Sequence, residues 1–151
     1  GTEHTIALIR EAGFPEERVL IDHNNEETLP LVLATKCYAG HSIYPQTKMD
    51  EARMAALVKK YGPERIVINS AADWGVSDPL KVPKTVDAMR AVGISEDAIE
   101  QIVWRNPVRF FAQSGRLDLS ETEGDAKLPV DQRELFEGNS VLRGQTPRVD
   151  R

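Results

Sequence analysis

Two short runs constrain this chain most: Arg18-Val19-Leu20-Ile21-Asp22-His23 and Arg65-Ile66-Val67-Ile68-Asn69-Ser70. Each is near-continuously apolar and rich in β-branched residues. Strands buried on both faces of a parallel sheet read this way, whereas half-exposed strands alternate. A third run, Cys37-Tyr38-Ala39-Gly40-His41-Ser42-Ile43-Tyr44, is more polar and is read as the middle strand. Parallel neighbours need long crossover connections, usually helical.

The intervening segments supply them. Segment 5–12 carries Ile6, Leu8 and Ile9 and stops at Gly13-Phe14-Pro15. Segment 26–34 follows Asn24-Asn25, which can cap it, and its Pro30 sits near the first turn, where proline is tolerated. Segment 50–61 places Met54, Leu57, Val58 and Tyr61 on one face before Gly62-Pro63. Segment 83–92 presents Val86, Met89 and Val92 before Gly93. Ser95 caps a further helix with Ile99, Ile102 and Val103 inward, and Pro107 starts a last short helix that ends near Gly115. The order α-β-α-β-α-β-α-α-α predicts an α/β fold with right-handed crossovers and a parallel sheet. Residues 120–151 are rich in Glu, Asp, Gly and Pro, and read as an irregular tail that wraps the domain or is partly disordered.

Composition narrows the function classes. Of 151 residues, 40% are hydrophobic and 28% charged, which suits one globular domain and excludes a wholly disordered chain, a coiled coil or a collagen repeat. No apolar run approaches the ~20 residues of a membrane helix, so no membrane partner is expected. The net charge is −5 and no basic cluster occurs, so nucleic acid is not an expected partner. The single cysteine, Cys37, is compatible with a reducing compartment and most simply packs in the core. No signal peptide is visible, and a cytoplasmic location is expected.

In parallel α/β folds, chemistry collects at the C-terminal ends of the strands. Those ends are polar here: Asp22-His23-Asn24-Asn25, then His41 to Lys48, then Asn69-Ser70-Ala71-Ala72-Asp73-Trp74-Gly75. Strand alternation places Val19, Ile21 and His23 on one face and Leu20 and Asp22 on the other. An imidazole at a strand end can ligate a divalent metal, and a histidine hydrogen-bonded to a neighbouring loop is the plain alternative. Asp73 can bind a metal, act as general base towards water, or do both; a turn cap is its alternative. Tyr44, Thr47, Lys48 and Trp74 are candidate pocket residues for a small polar or anionic substrate, and equally plain loop residues. His41, mid-strand, is read as a pore-facing or packed histidine rather than a ligand. Gly40, Gly62 and Gly75 stand singly, so no phosphate-binding glycine loop is present.

Three segments together resemble a known family: Val19-Leu20-Ile21-Asp22-His23-Asn24-Asn25-Glu26-Glu27-Thr28, Tyr44-Pro45-Gln46-Thr47-Lys48-Met49, and Ile68-Asn69-Ser70-Ala71-Ala72-Asp73-Trp74-Gly75 followed by Asp78-Pro79-Leu80-Lys81-Val82-Pro83. The combination resembles the TatD-like metal-dependent hydrolases of the amidohydrolase superfamily, in particular its EboC-type branch, over residues 5–119. Asn106-Pro107-Val108 with Phe110-Phe111 resembles that barrel's closing helix. The resemblance implies that residues 1–119 are the C-terminal part of a (β/α)8 TIM barrel, strands six to eight with their helices. It implies that His23 and Asp73 bind a divalent ion (zinc, magnesium or manganese) and that Asp73 is the catalytic base. The third strand ends Asn-Ser-Ala-Ala-Asp rather than the Glu-Thr-Asp of TatD nucleases, which points away from nuclease activity.

The expected function is therefore metal-dependent hydrolysis of an ester, phosphoester or amide, in a protein that also holds the N-terminal barrel strands missing here. Two rival readings are a non-catalytic α/β binding or scaffold module and a metal-dependent sugar-phosphate isomerase or endonuclease-like barrel. A whole barrel takes ~250 residues. The short length and the absence of an initiator methionine are read as signs of a partial sequence.

Overall fold

A computed structural model describes residues 1–44, 48–71 and 78–117. The three apolar runs form parallel strands β1 (Leu20–Ile21), β2 (Tyr38–Ile43) and β3 (Ile66–Ser70), hydrogen-bonded in chain order. Leu20 lies opposite Tyr38, and Ala39 to Ile43 lie opposite Ile66 to Ser70. The more polar run is the central strand, and every one of its residues is buried. A central strand has neighbours on both edges and so tolerates Gly40, His41 and Ser42 that would weaken an edge strand.

The first strand is shorter than the run 18–23 predicts. Val19 and Asn24 still pair with β2 through Tyr38 N–H to Val19 O (2.8 Å) and Asn24 N–H to Gly40 O (3.0 Å). Regular strand geometry ends because His23 adopts the left-handed region, φ 63°.

Around the sheet run α1 (Thr2–Glu11), α2 (Leu29–Leu33), α3 (Glu51–Tyr61), α4 (Lys81–Ala91), α5 (Glu96–Glu100) and α6 (Asn106–Ala112). The Asp50 side chain caps α3 through the Arg53 N–H at 2.8 Å, and Ser95 caps α5 through the Ala98 N–H. The segment predicted as a helix over 26–34 is regular only from Leu29. Before it, Asn25 Oδ1 accepts the N–H groups of Glu27 and Thr28, and Pro30 has no N–H to extend a ladder backwards.

The two last helices are not separate. A π-helical turn, Gln101–Arg105, joins α5 to α6 so that helical backbone runs from 96 to 112. Pro107 lacks an N–H and would crowd the carbonyl of Val103 in a tight α-turn; the wider turn lets the helix pass through it.

One face of the sheet packs on the helices. Ile21, Ala39, Ile43, Ile66 and Ile68 join Leu29, Val32, Met54, Leu57, Val58, Met89, Ile99 and Ile102 in one apolar core. The opposite face carries Leu20, Asp22, Tyr38, Gly40, Ser42, Val67 and Asn69 by alternation. Tyr38 there meets the Phe110 ring of α6 at 5.0 Å. No helix among the described residues is long and apolar enough to cross a membrane. The tail expected over 120–151 lies outside the described residues.

Candidate metal site

The C-terminal end of β1 builds the site. Asp22 Oδ1 accepts the His23 backbone N–H at 2.7 Å. This local bond favours the left-handed backbone at His23, a conformation that Asn, Asp and His enter more readily than other side chains.

The turn corrects the alternation expected from the sequence. His23 does not share the helix-covered face with Val19 and Ile21. Its Nδ1 lies 3.0 Å from Ser42 Oγ and 3.3 Å from Asp22 Oδ2, both on the other face. A residue in the left-handed region breaks the two-residue period, so its side chain leaves on the side the pleat would not give. The His23 side chain is 54% exposed. Its Nε2 has no partner among the described residues.

Asn24 and Asn25 hold this turn by different means. Asn24 is buried, and its amide donates to Ile21 O (2.6 Å) and Gly40 O (3.1 Å), tying β1 to β2. Asn25 exchanges bonds with Thr28: its N–H donates to Thr28 Oγ1 and its Oδ1 accepts the Thr28 N–H, both at 3.0 Å. Glu26, between them and α2, forms a two-pronged ion pair with Arg53 of α3 at 2.7 Å for each prong.

His41 is a packed histidine, one of the two states its mid-strand position allows. It is fully buried on the helix-covered face, and neither ring nitrogen has a hydrogen-bond partner of good geometry among the described residues. Burial lowers its pKa to about 4; the carbonyls of Ala39 and Val67 and the charges of Asp22 and Glu26 oppose only part of that effect. Cys37 is buried, as expected of a packing residue.

The loop after β2 begins at Tyr44, whose N–H donates to Met49 O at 2.8 Å, while Lys48 N–H donates to Tyr44 O at 2.8 Å. Arg53 Nη1 then binds the Lys48 carbonyl at 2.8 Å. Thr47, Asp73 and Trp74 lie outside the described residues. Ser42, Asp22 and Gly40 were not singled out by sequence reasoning. The adjacency of Asp22 to His23 was a signal; Ser42 and Gly40 join the site only through strand register.

The chemistry of this cluster suits one ligand position. A metal-bound imidazole commonly offers its second nitrogen to a carboxylate, hydroxyl or carbonyl, and His23 has two of these at Nδ1. The described residues do not by themselves gather three His, Cys, Asp or Glu side chains that could hold an ion. His23 therefore fits a divalent ion as a single ligand.

No family model and no solved structure matches this chain. A curated protein of Methanocaldococcus jannaschii, the uncharacterized metal-dependent hydrolase MJ0761, is 26% identical over 106 residues. Those residues are 70% of this chain and 41% of that protein, so the chain spans less than half the length of the relative it matches.

Proposed function

We propose that this chain contributes the closing βα units of a metal-dependent hydrolase of the TatD-like, EboC-type branch of the amidohydrolase superfamily. The observation that carries the reading is the 106-residue likeness to a protein named a metal-dependent hydrolase. Two features support it. The strands lie in strict chain order, as consecutive strands of a (β/α)8 barrel do. His23 stands at the C-terminal end of its strand with Nε2 directed away from its Nδ1 partners.

In this reading, β1, β2 and β3 are the sixth, seventh and eighth strands of the barrel. His23 holds a divalent ion through Nε2. Asp73 is the second ligand and the base that takes a proton from the attacking water. The chemistry such an ion supplies when bound is activation of water near neutral pH and polarisation of the scissile bond. Tyr44, Lys48 and Trp74 are the proposed contacts for a small ester, phosphoester or amide.

The test is elemental analysis and hydrolysis assays on a protein carrying the complete barrel. His23→Ala and Asp73→Asn are each expected to lower metal content and turnover by orders of magnitude. Wild-type metal occupancy in both variants would overturn the assignment. A wild-type protein that holds no metal would favour a non-catalytic α/β binding module.

A further inference from the structure

We propose that Asp22 and Ser42 are positioning residues that hold the proton of the neutral His23 imidazole on Nδ1, leaving Nε2 as the lone-pair nitrogen. The inference deepens the metal-ligand reading of His23 and rests on it for its purpose.

Two oxygen atoms surround Nδ1: Ser42 Oγ at 3.0 Å and Asp22 Oδ2 at 3.3 Å. A hydroxyl can donate or accept, so Ser42 alone permits either tautomer. A carboxylate only accepts. With the proton on Nε2, the Nδ1 lone pair would face the negative oxygen of Asp22. With the proton on Nδ1, the N–H donates to Ser42 and points its positive end at the carboxylate. The electrostatics choose the second arrangement.

The carboxylate is itself held. Its Oδ1 binds the His23 backbone N–H at 2.7 Å, so one side chain fixes both the left-handed turn and the ring. It occupies space that β2 leaves open. A Cβ on Gly40 would stand 2.5 Å from Asp22 Oδ1 and 3.0 Å from Asp22 Cγ. Ser42 follows two residues later on the same face, at the height of the imidazole. The central strand thus supplies room at one position and a hydroxyl at the next. The His23 side chain is about half exposed, so the ring is open to an ion or a substrate.

The tautomer is read directly by two-bond proton–nitrogen correlation spectra of the 15N-labelled, metal-free 151-residue chain at about pH 8, above the ordinary imidazole range. The His23 signals are assigned by their loss in His23→Ala. The wild type is expected to show the Nδ1–H form. Asp22→Asn with Ser42→Ala is expected to shift the ring towards Nε2–H, the form favoured by imidazole in water. Amide spectra check folding, and should the pair not fold, Ser42→Ala and Asp22→Glu are read singly, with a mixed tautomer expected in the first and retention of Nδ1–H in the second. A wild-type Nε2–H form, or a tautomer unchanged in both Ser42→Ala and the paired variant, overturns the proposal. Zinc titration by calorimetry of a protein carrying the complete barrel separates it from the reading it rests on. Wild-type affinity 10–100-fold above that of the paired variant supports both. An Nδ1–H wild type that binds no zinc upholds the positioning role and overturns the metal role.

Discussion

The Asn106 side-chain amide donates to the backbone carbonyl of Ile66 at 2.9 Å, across 40 residues of sequence. Arg65 O accepts from Ala39 on β2, so the Ile66 carbonyl points the other way, towards the outer edge of the sheet. Asn106 also reaches Pro63 O at 2.7 Å and is itself buried. The helix that contains it thereby covers part of a strand edge that has no partner strand among the described residues.

Removing that amide leaves the Ile66 carbonyl without this donor and the Pro63 carbonyl with only the longer bond from the Ile66 N–H, at 3.3 Å. Asn106→Ala is expected to lower stability by about 1–3 kcal/mol. Asn106→Asp is expected to cost more, because a carboxylate would face two carbonyl oxygens. Chemical denaturation checks both, and an unchanged midpoint in either would refute the edge-covering role.

Gly40 is required for space rather than backbone freedom. In Gly40→Ala the new methyl would stand 2.5 Å from Asp22 Oδ1 and 2.8 Å from Leu20 Cδ2. Overpacking of this kind is expected to cost about 1–3 kcal/mol. Asp22→Ala in the same chain should recover part of the loss, and a double-mutant cycle measures the coupling. Independent, additive effects would show that the two side chains do not compete for one volume.

His41 makes the fold acid-sensitive. Its pKa falls from 6.5 to about 4 in the folded chain, because burial disfavours the charged ring. Between those values the unfolded chain binds more protons, so its contribution is complete above pH 6.5 and is lost as pH falls towards 4. The total loss is on the order of 3 kcal/mol. His41→Leu is expected to abolish this slope while remaining about as stable at neutral pH, since it removes two buried nitrogens that find no hydrogen bond of good geometry among the described residues. Stability measured by denaturation at a series of pH values decides it, and an equal slope in the variant would count against the assignment.

Glu26 acts in a lower window. The Arg53 guanidinium holds its carboxyl down from 4.5 to about 2. Its contribution is present above pH 4.5 and is lost as pH falls towards 2. Both side chains are nearly half exposed, so solvent screening limits the pair to about 1 kcal/mol or less. Glu26→Gln should lower neutral-pH stability by that small amount, and the gap to wild type should close across the acid window. A gap that persists at pH 2 would point to packing rather than charge.

Much of the fold was legible in the chain itself. Near-continuous apolar runs marked β1 and β3, and the spacing of Met54, Leu57 and Val58 marked α3, because burial imposes a period on local sequence. The polar ends of the strands also marked where chemistry would gather, and His23 stands there. The passage of helical backbone through Pro107 was not legible, since a π turn leaves no periodic signature as short as five residues.

The amino-acid sequence by itself determined the three strands, most of the helices and their order, and core positions such as Met54, Leu57 and Val58, although Leu8 and Val92, which the same spacing groups with core residues, are exposed. Tertiary structure alone decided which face His23 serves. A single left-handed residue reverses the alternation that the strand pattern encodes. The partners that receive it are set by register, with Ser42 distant by 19 residues and Gly40 yielding room to Asp22. Short-range periodicity carries no information about such cross-strand heights, and they exist only once β1 and β2 have paired.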